Sequence, residues 1–212
     1  MLIVSLLINL LIIIIEIYVL SKLKNKKDLF KYYTYVQNVL CLIVSILFSV
    51  CVFSNMFFEF IIPEYVRGLR YMVTVGLIFT MLIYVLFLRK NNVIEDKEFN
   101  GISGKKVNIL LHYICPLLSL ISFIGFERSI IVNNGIWTML VAIPSCLYWV
   151  IYLILSVTKL WEEPYDFGDS KLSNVLMFIL IPISFIFISF ILWNVRWFNE
   201  KNYFNSSYAF SC

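Results

Sequence analysis

His112 is the only histidine of this chain, and it lies inside a long apolar stretch. Thr34 lies in a second such stretch, where its hydroxyl can act as a nucleophile only with a base within hydrogen-bonding distance. Imidazole titrates near neutral pH, so His112 is the one good base available. Asn38 and Asn108 are each four residues from one of these two, and their amides can donate hydrogen bonds to an oxyanion. These residue types suit acyl transfer, with Thr34 as nucleophile and His112 as general base.

The composition places these residues in a membrane. The chain is 61% hydrophobic and 14% charged, with a mean hydropathy of +0.90, whereas soluble domains carry about 25% charged residues. Six stretches reach the length of about 20 apolar residues that a transmembrane helix needs. They are Leu2–Leu20, Tyr32–Phe53, Leu69–Leu88, Val107–Phe126, Ile136–Val157 and Leu172–Trp197. We therefore predict an all-α bundle of six transmembrane helices, forming a single domain over residues 1–212.

The distribution of lysine and arginine predicts the orientation of the bundle. Of the 17 basic residues, the connections after the first, third and fifth helices carry 12. The remaining five are assigned to the opposite face and are Arg67, Arg70, Arg128, Arg196 and Lys201. Because cytoplasmic connections are enriched in basic residues, we expect a multi-pass protein of the cell membrane with loops 1, 3 and 5 in the cytoplasm and both termini outside.

The polar candidates are predicted to share one layer near the cytoplasmic face. At the rise of an α-helix, Thr34 lies about 3 Å and His112 about 8 Å inside the starts of the second and fourth helices, and Glu16 about 6 Å from the end of the first. Asn38 shares a helix face with Thr34, as Asn108 does with His112. Together these five residues can line a cavity. Charge within the spans is expected on this side only, with Glu16 as the sole acid.

Each candidate also has a purely structural interpretation. A threonine in a membrane helix often bonds a carbonyl one turn earlier, and asparagines often bridge helices. Glu16 can extend to the interface and pair with a lysine of the first loop. A histidine in a span more often marks a function. We predict no metal site and no cofactor, since the chain has one histidine and no CxxC spacing. The basic residues form no nucleic-acid motif.

Three segments carry a family resemblance: KYYTY (Lys31–Tyr35), NILLH (Asn108–His112) followed by Pro116, and VTKLWEEPYDF (Val157–Phe167). They resemble the signature segments of the androgen-induced protein and ADTRP family, and LRYMVTVGLIF (Leu69–Phe79) resembles the corresponding span of that family. Its members are six-span membrane proteins with bacterial relatives. Those described are intramembrane threonine hydrolases that cleave fatty acid esters of hydroxy fatty acids. The resemblance implies the same fold and activity here, with Thr34 as nucleophile and His112 as base.

Three hypotheses for function follow. The first is a lipid-ester hydrolase whose substrate, a membrane lipid or lipid ester, enters from the bilayer. The second is a non-catalytic lipid-binding or scaffold protein, which needs only the bundle and its cavity. The third, a transporter of small solutes, needs a polar path across the whole bilayer.

Overall fold

Six helices long and apolar enough to cross a bilayer make up the fold. The computed structural model describes residues 1–23, 30, 32–88, 98–99, 102–127, 135–158 and 180–198. The helices are α1 (Leu2–Ser21), α2 (Tyr33–Phe58), α3 (Glu64–Ile83), α4 (Gly104–Phe126), α5 (Trp137–Leu140 and Ile143–Val157) and α6 (Leu180–Phe198). The predicted all-α bundle with six spans is confirmed. Helix α3 begins five residues earlier than predicted, and the predicted start of the sixth span, 172–179, lies outside the described residues.

A short hairpin precedes α4. Strands β1 (Glu98–Phe99) and β2 (Ile102–Ser103) pair antiparallel. The Ser103 hydroxyl then accepts a hydrogen bond from the main-chain nitrogen of Lys106 at 3.4 Å. This N-cap satisfies one of the free amides of the first helical turn, so the chain can turn from the hairpin into α4.

Helix α1 illustrates how the sequence selects a buried face within an apolar span. Ser5, Asn9 and Glu16 are spaced by four and seven residues, which puts them on one side of the helix. All three are buried, whereas Leu7 and Ile14 on the other side are exposed. Since lipid is apolar, the polar residues of a membrane helix face the protein interior. The polar face of α1 is thus its packing face.

The first four helices surround a common axis. Helix α1 contacts α2 and α4, and α3 contacts the same two helices. Helices α5 and α6 pack outside this ring through an aromatic cluster, which includes Tyr33, Phe79, Tyr148 and Phe185. We call the end where α2 and α4 begin the proximal end, which is the end predicted to be cytoplasmic, and the other the distal end.

Helices α2 and α3 approach each other closely at Gly76. A Cβ atom at this position would lie 2.2 Å from Nε2 of Gln37. That same Nε2 donates a hydrogen bond to the main-chain oxygen of Val73 at 3.3 Å. A glycine at 76 therefore leaves the space that the Gln37 side chain needs to reach the backbone of the neighbouring helix.

Three π-helical turns interrupt the described helices: Tyr84–Leu88 at the end of α3, and Leu110–Ile114 and Ser122–Phe126 within α4. The turn at Leu110–Ile114 has an evident cause in the sequence. Pro116 lacks the N–H that would bond the carbonyl of His112 in a regular α-helix. Such turns are rare and occur frequently at functional sites. This one carries His112.

Charged side chains in the distal half correct the expectation that charge within the spans lies only on the cytoplasmic side. Arg70 and Glu127 are buried at 1% exposure and form an ion pair at 3.1 Å. Glu16 is therefore not the sole buried acid. Arg196, also counted with the opposite face, is buried in α6 and donates to the main-chain oxygens of Phe123 and Glu127. These charges were misjudged because they lie within a few residues of predicted span ends, where burial depends on tertiary packing.

Candidate functional site

Two groups of buried polar side chains lie along the axis of the four-helix ring. The proximal cluster consists of Glu16, Asn38, Asn108 and His112. The distal cluster consists of Ser5, Asn9, Arg70, Thr74, Ser119, Ser122 and Glu127. The two clusters differ in how completely their hydrogen-bonding groups are satisfied, and this difference identifies the candidate site.

The distal cluster is a nearly complete network. Arg70 donates to Oε1 of Glu127 through Nε at 3.2 Å and Nη2 at 3.1 Å. Its Nη1 donates to the hydroxyls of Ser119 at 2.8 Å and Thr74 at 3.2 Å. The Ser122 hydroxyl adds a bond of 2.6 Å to the same carboxylate oxygen. A buried ion pair is tolerated when further hydrogen bonds satisfy it, so this cluster has a structural explanation.

The proximal cluster lacks partners for most of its polar atoms. Within the described part of the chain, both carboxyl oxygens of Glu16, Oδ1 of Asn38, Nδ2 of Asn108 and Nδ1 of His112 have no hydrogen bond. Their residues are at most 3% exposed. A buried polar group without a partner costs about 1 to 3 kcal/mol. Four such residues on three neighbouring helices are the candidates in the described structure to contact a polar occupant.

A mostly apolar layer separates the two clusters. Ile12, Val44, Val73 and Leu77 are buried together with Cys41. The thiol of Cys41 lies 3.7 Å from the hydroxyl of Ser45, which is one turn further along α2 toward the distal end. This layer closes the proximal cluster on its distal side.

Glu16, Cys41 and Cys115 approach one another from three helices. The carboxyl group of Glu16 faces the thiol of Cys115, which is a weak hydrogen-bonding group. Both cysteines interact electrostatically with Glu16, and they also interact with each other. These three side chains, one each from α1, α2 and α4, are therefore close in space.

The heights of the predicted catalytic residues follow from these cysteines. Asn38 and His112 each precede the cysteine of their own helix by three residues, and Thr34 and Asn108 by seven. With the two cysteines taken as a common height, Asn38 would be level with His112 and Thr34 with Asn108. On that reference Thr34 is four residues, or about 6 Å, nearer the proximal end than His112. The longer imidazole leans toward the start of its helix and shortens this offset.

Thr34 is half-buried. Its main-chain oxygen accepts a 2.6 Å hydrogen bond from Nδ2 of Asn38. In the described residues no hydrogen bond joins the Thr34 hydroxyl to His112. That these two side chains share one cavity at hydrogen-bonding range stays a prediction.

The imidazole of His112 is held on two sides. Its ring stacks on Tyr84, with centroids 4.3 Å apart and 10° between the ring planes. It also reaches the main chain of Thr80. Nδ1 has no hydrogen bond among the described residues, so it is the ring nitrogen available to a ligand.

Tyr84 and the two cysteines were missed in the sequence analysis. Tyr84 is one of 13 tyrosines, and no residue pattern around it predicts the π-helical turn in which it lies. Cys41 and Cys115 belong to no CxxC spacing and were not among the predicted site residues. Cys41 follows Asn38 by three residues, and Cys115 follows His112 by three residues. In a helix this spacing predicts that each cysteine lies on the same face as the polar candidate before it.

Among the described residues, no group of three histidine, cysteine, aspartate or glutamate side chains is arranged to hold a metal ion. Comparisons of the chain with protein-family models, curated proteins and solved structures give no match. The resemblance to the androgen-induced protein and ADTRP family stays a prediction from the segments quoted above.

Proposed function

We propose that this protein is an intramembrane lipid-ester hydrolase in which Thr34 is the nucleophile and His112 the general base. The observation that carries the proposal is the contrast between the two polar clusters. The distal cluster satisfies its own hydrogen bonds except at Oδ1 of Asn9, whereas the proximal one leaves both oxygens of Glu16 and Nδ1 of His112 without partners. Polar groups that are costly to bury and are left unpaired are retained where they contact a ligand.

The environment of His112 supports its assignment as the base. Stacking on Tyr84 and the contact with Thr80 restrict rotation of the ring. Its Nδ1 has no hydrogen-bond partner among the described residues. A general base needs this combination of fixed orientation and an available lone pair.

The proposed reaction proceeds in two stages. The Thr34 hydroxyl attacks the ester carbonyl carbon while its proton passes to His112, directly or through one water molecule. The tetrahedral oxyanion accepts a hydrogen bond from Nδ2 of Asn108, which is level with Thr34 and has no other partner among the described residues. Collapse expels the alcohol, which takes the proton from His112, and leaves an acyl ester on Thr34. Water then gives a proton to His112 and attacks this ester, releasing the carboxylic acid and restoring the Thr34 hydroxyl.

The closed distal side of the cluster favours a lipid substrate. The apolar layer around Ile12 and Leu77 separates the proximal cluster from the distal one, so the described polar side chains form no continuous path for a solute across the bundle. A lipid can instead reach this depth laterally from the bilayer. A non-catalytic lipid-binding protein would use the same cavity without chemistry, and the following experiment separates the two.

The experiment is labelling of the purified protein with a long-chain fluorophosphonate, followed by peptide mapping. We expect one labelled residue, Thr34, with loss of labelling and of long-chain ester hydrolysis in Thr34→Ala and His112→Ala. The matched control is Thr158→Ala, because Thr158 is exposed and its hydroxyl bonds only to the carbonyls of its own helix. It should label and hydrolyse like wild type.

Two results would overturn the proposal. Thr34→Ala with wild-type hydrolysis would mean that another group is the nucleophile. Absence of ester turnover and labelling in wild type across several lipid compositions would leave only the lipid-binding function.

A further inference from the structure

The unpartnered atoms of the proximal cluster differ in their hydrogen-bonding character. Asn38 uses Nδ2 to bond the carbonyl of Thr34, which is an acceptor only, so the orientation of the amide is fixed and Oδ1 is the free atom. Nδ1 of His112 is a second acceptor. The carboxyl group of Glu16 offers at least as many acceptor as donor sites in either protonation state. Nδ2 of Asn108 is an unpartnered donor, and a protonated Glu16 would add one more, so acceptors outnumber donors in the described cluster.

From this imbalance we infer that the proximal cluster binds a neutral lipid head group with free hydroxyls, such as a glycerol carrying one acyl chain. The hydroxyl groups of this lipid donate hydrogen bonds to the acceptor atoms of Asn38 and Glu16. Its ester carbonyl is an acceptor and can take a hydrogen bond from Nδ2 of Asn108. The inference rests on the proposed function only in assigning the cluster to a lipid.

A lipid with a free carboxylate, the class of substrate that the family resemblance implies, is disfavoured by the same residues. A carboxylate offers only acceptor oxygens, which would face Oδ1 of Asn38 and the carboxyl group of Glu16. The described basic groups nearest the axis do not compensate, since Arg70 is occupied by Glu127, Thr74 and Ser119 beyond the apolar layer. The cluster thus discriminates by the number of donors that the ligand brings.

The test uses probes that cannot be hydrolysed, so that it is independent of catalysis. The purified protein in detergent micelles is titrated with 1-O-hexadecylglycerol and, separately, with palmitic acid, while its unfolding temperature is recorded. A ligand that binds only the folded state raises this temperature. We expect the alkylglycerol to bind at least about 10-fold more tightly than palmitic acid, which is the effect of one well-placed hydrogen bond to a charged or buried group.

Glu16→Leu and Asn38→Leu should each weaken alkylglycerol binding by roughly 10-fold. Without ligand, Glu16→Leu should unfold at or above the wild-type temperature, because it replaces an unpartnered buried polar group with an apolar one. Asn38→Leu also removes the hydrogen bond from Nδ2 to the Thr34 carbonyl, so its unfolding temperature should be close to or slightly below that of wild type. Glu64→Gln is the matched control, since Glu64 lies in the first turn of α3 at the distal end. Its binding should equal that of wild type.

Equal or tighter binding of palmitic acid would overturn the inference, as would wild-type alkylglycerol binding in both leucine variants. The proposed function fails separately. If alkylglycerol binds as expected and no ester is hydrolysed, the inference stands without the hydrolase. If esters with a free carboxylate are the best substrates, the hydrolase stands and the inference is wrong.

Discussion

The ring of His112 lies flat against the ring of Tyr84, with centroids 4.3 Å apart and 10° between their planes. The two residues come from the π-helical turns of adjacent helices, α3 and α4. Both rings are buried. The stack thus joins the two irregular turns at the height of the proximal cluster and sets the plane in which the imidazole can exchange a proton.

Replacement of Tyr84 should impair catalysis more than folding. Tyr84→Leu removes the stack, which contributes about 0.5 to 1.5 kcal/mol, and frees the imidazole to rotate. We expect the turnover number for a long-chain ester to fall by roughly 100-fold, the effect of a misplacement of about 1 Å, with little change in KM.

The control for this variant is Tyr84→Phe, which keeps an aromatic face against His112. Its turnover should remain within about threefold of wild type, since the orientation of the imidazole is retained. If Tyr84→Leu and Tyr84→Phe were equally active, orientation of His112 by stacking would be excluded.

Asn108 should contribute to the rate without being essential. Removing a single oxyanion donor lowers turnover by about 100- to 1000-fold where the donor is well aligned, and we expect Asn108→Ala to lose between about 10- and 1000-fold in steady-state assays. Fluorophosphonate labelling at Thr34 should slow by a similar factor, because the phosphoryl oxygen occupies the oxyanion position. Asn194→Ala is the control, as Asn194 is exposed on α6. Unchanged kinetics in Asn108→Ala would assign the oxyanion to another donor.

The depth of the proximal cluster could be predicted from sequence because it depends only on where apolar stretches begin and end. Glu16 is five residues from the end of α1, Asn38 is five residues from the start of α2, and Asn108 and His112 are four and eight residues from the start of α4. At about 1.5 Å per residue, these depths spread over about 6 Å, or roughly one turn. A regular rise is enough to place them in one layer.

The contacts that distinguish the two clusters could not be predicted. The pairing of Arg70 with Glu127 joins residues 57 positions apart, and nothing in the sequence around Arg70 indicates its partner. Its position at the edge of the predicted span is compatible with exposure as well as with burial. Likewise, the stack on Tyr84 depends on a π-helical turn, which shifts side chains around the helix in a way that a period of 3.6 residues does not reproduce.

The distal ion pair should be required for stability and not for chemistry. Glu127→Gln and Arg70→Leu each leave a buried charge without its partner, which typically costs about 3 to 5 kcal/mol. Each variant should unfold at a markedly lower temperature in detergent. The double variant Arg70→Met with Glu127→Leu should recover much of the loss, because no unpaired charge remains. Normal stability in Arg70→Leu would show that the pair does not hold α3 against α4.

The last prediction concerns the orientation of the bundle. Burial of Arg70 and Arg196 leaves Arg67, Arg128 and Lys201 as the basic residues assigned to the distal face, so the excess of positive charge at the proximal end is larger than first counted. Proximal connections should therefore lie in the cytoplasm and both termini outside.

The measurement is labelling with a membrane-impermeant maleimide in a variant whose native cysteines are replaced by alanine. Gly135→Cys, at the distal end of α5 where an added side chain meets open space, should react in intact cells. Lys105→Cys, exposed at the proximal start of α4, should react only after permeabilisation. The reverse pattern would invert the bundle, yet Glu16, Asn38, Asn108 and His112 would still share a layer, since their common height depends on helix packing and not on which face is cytoplasmic.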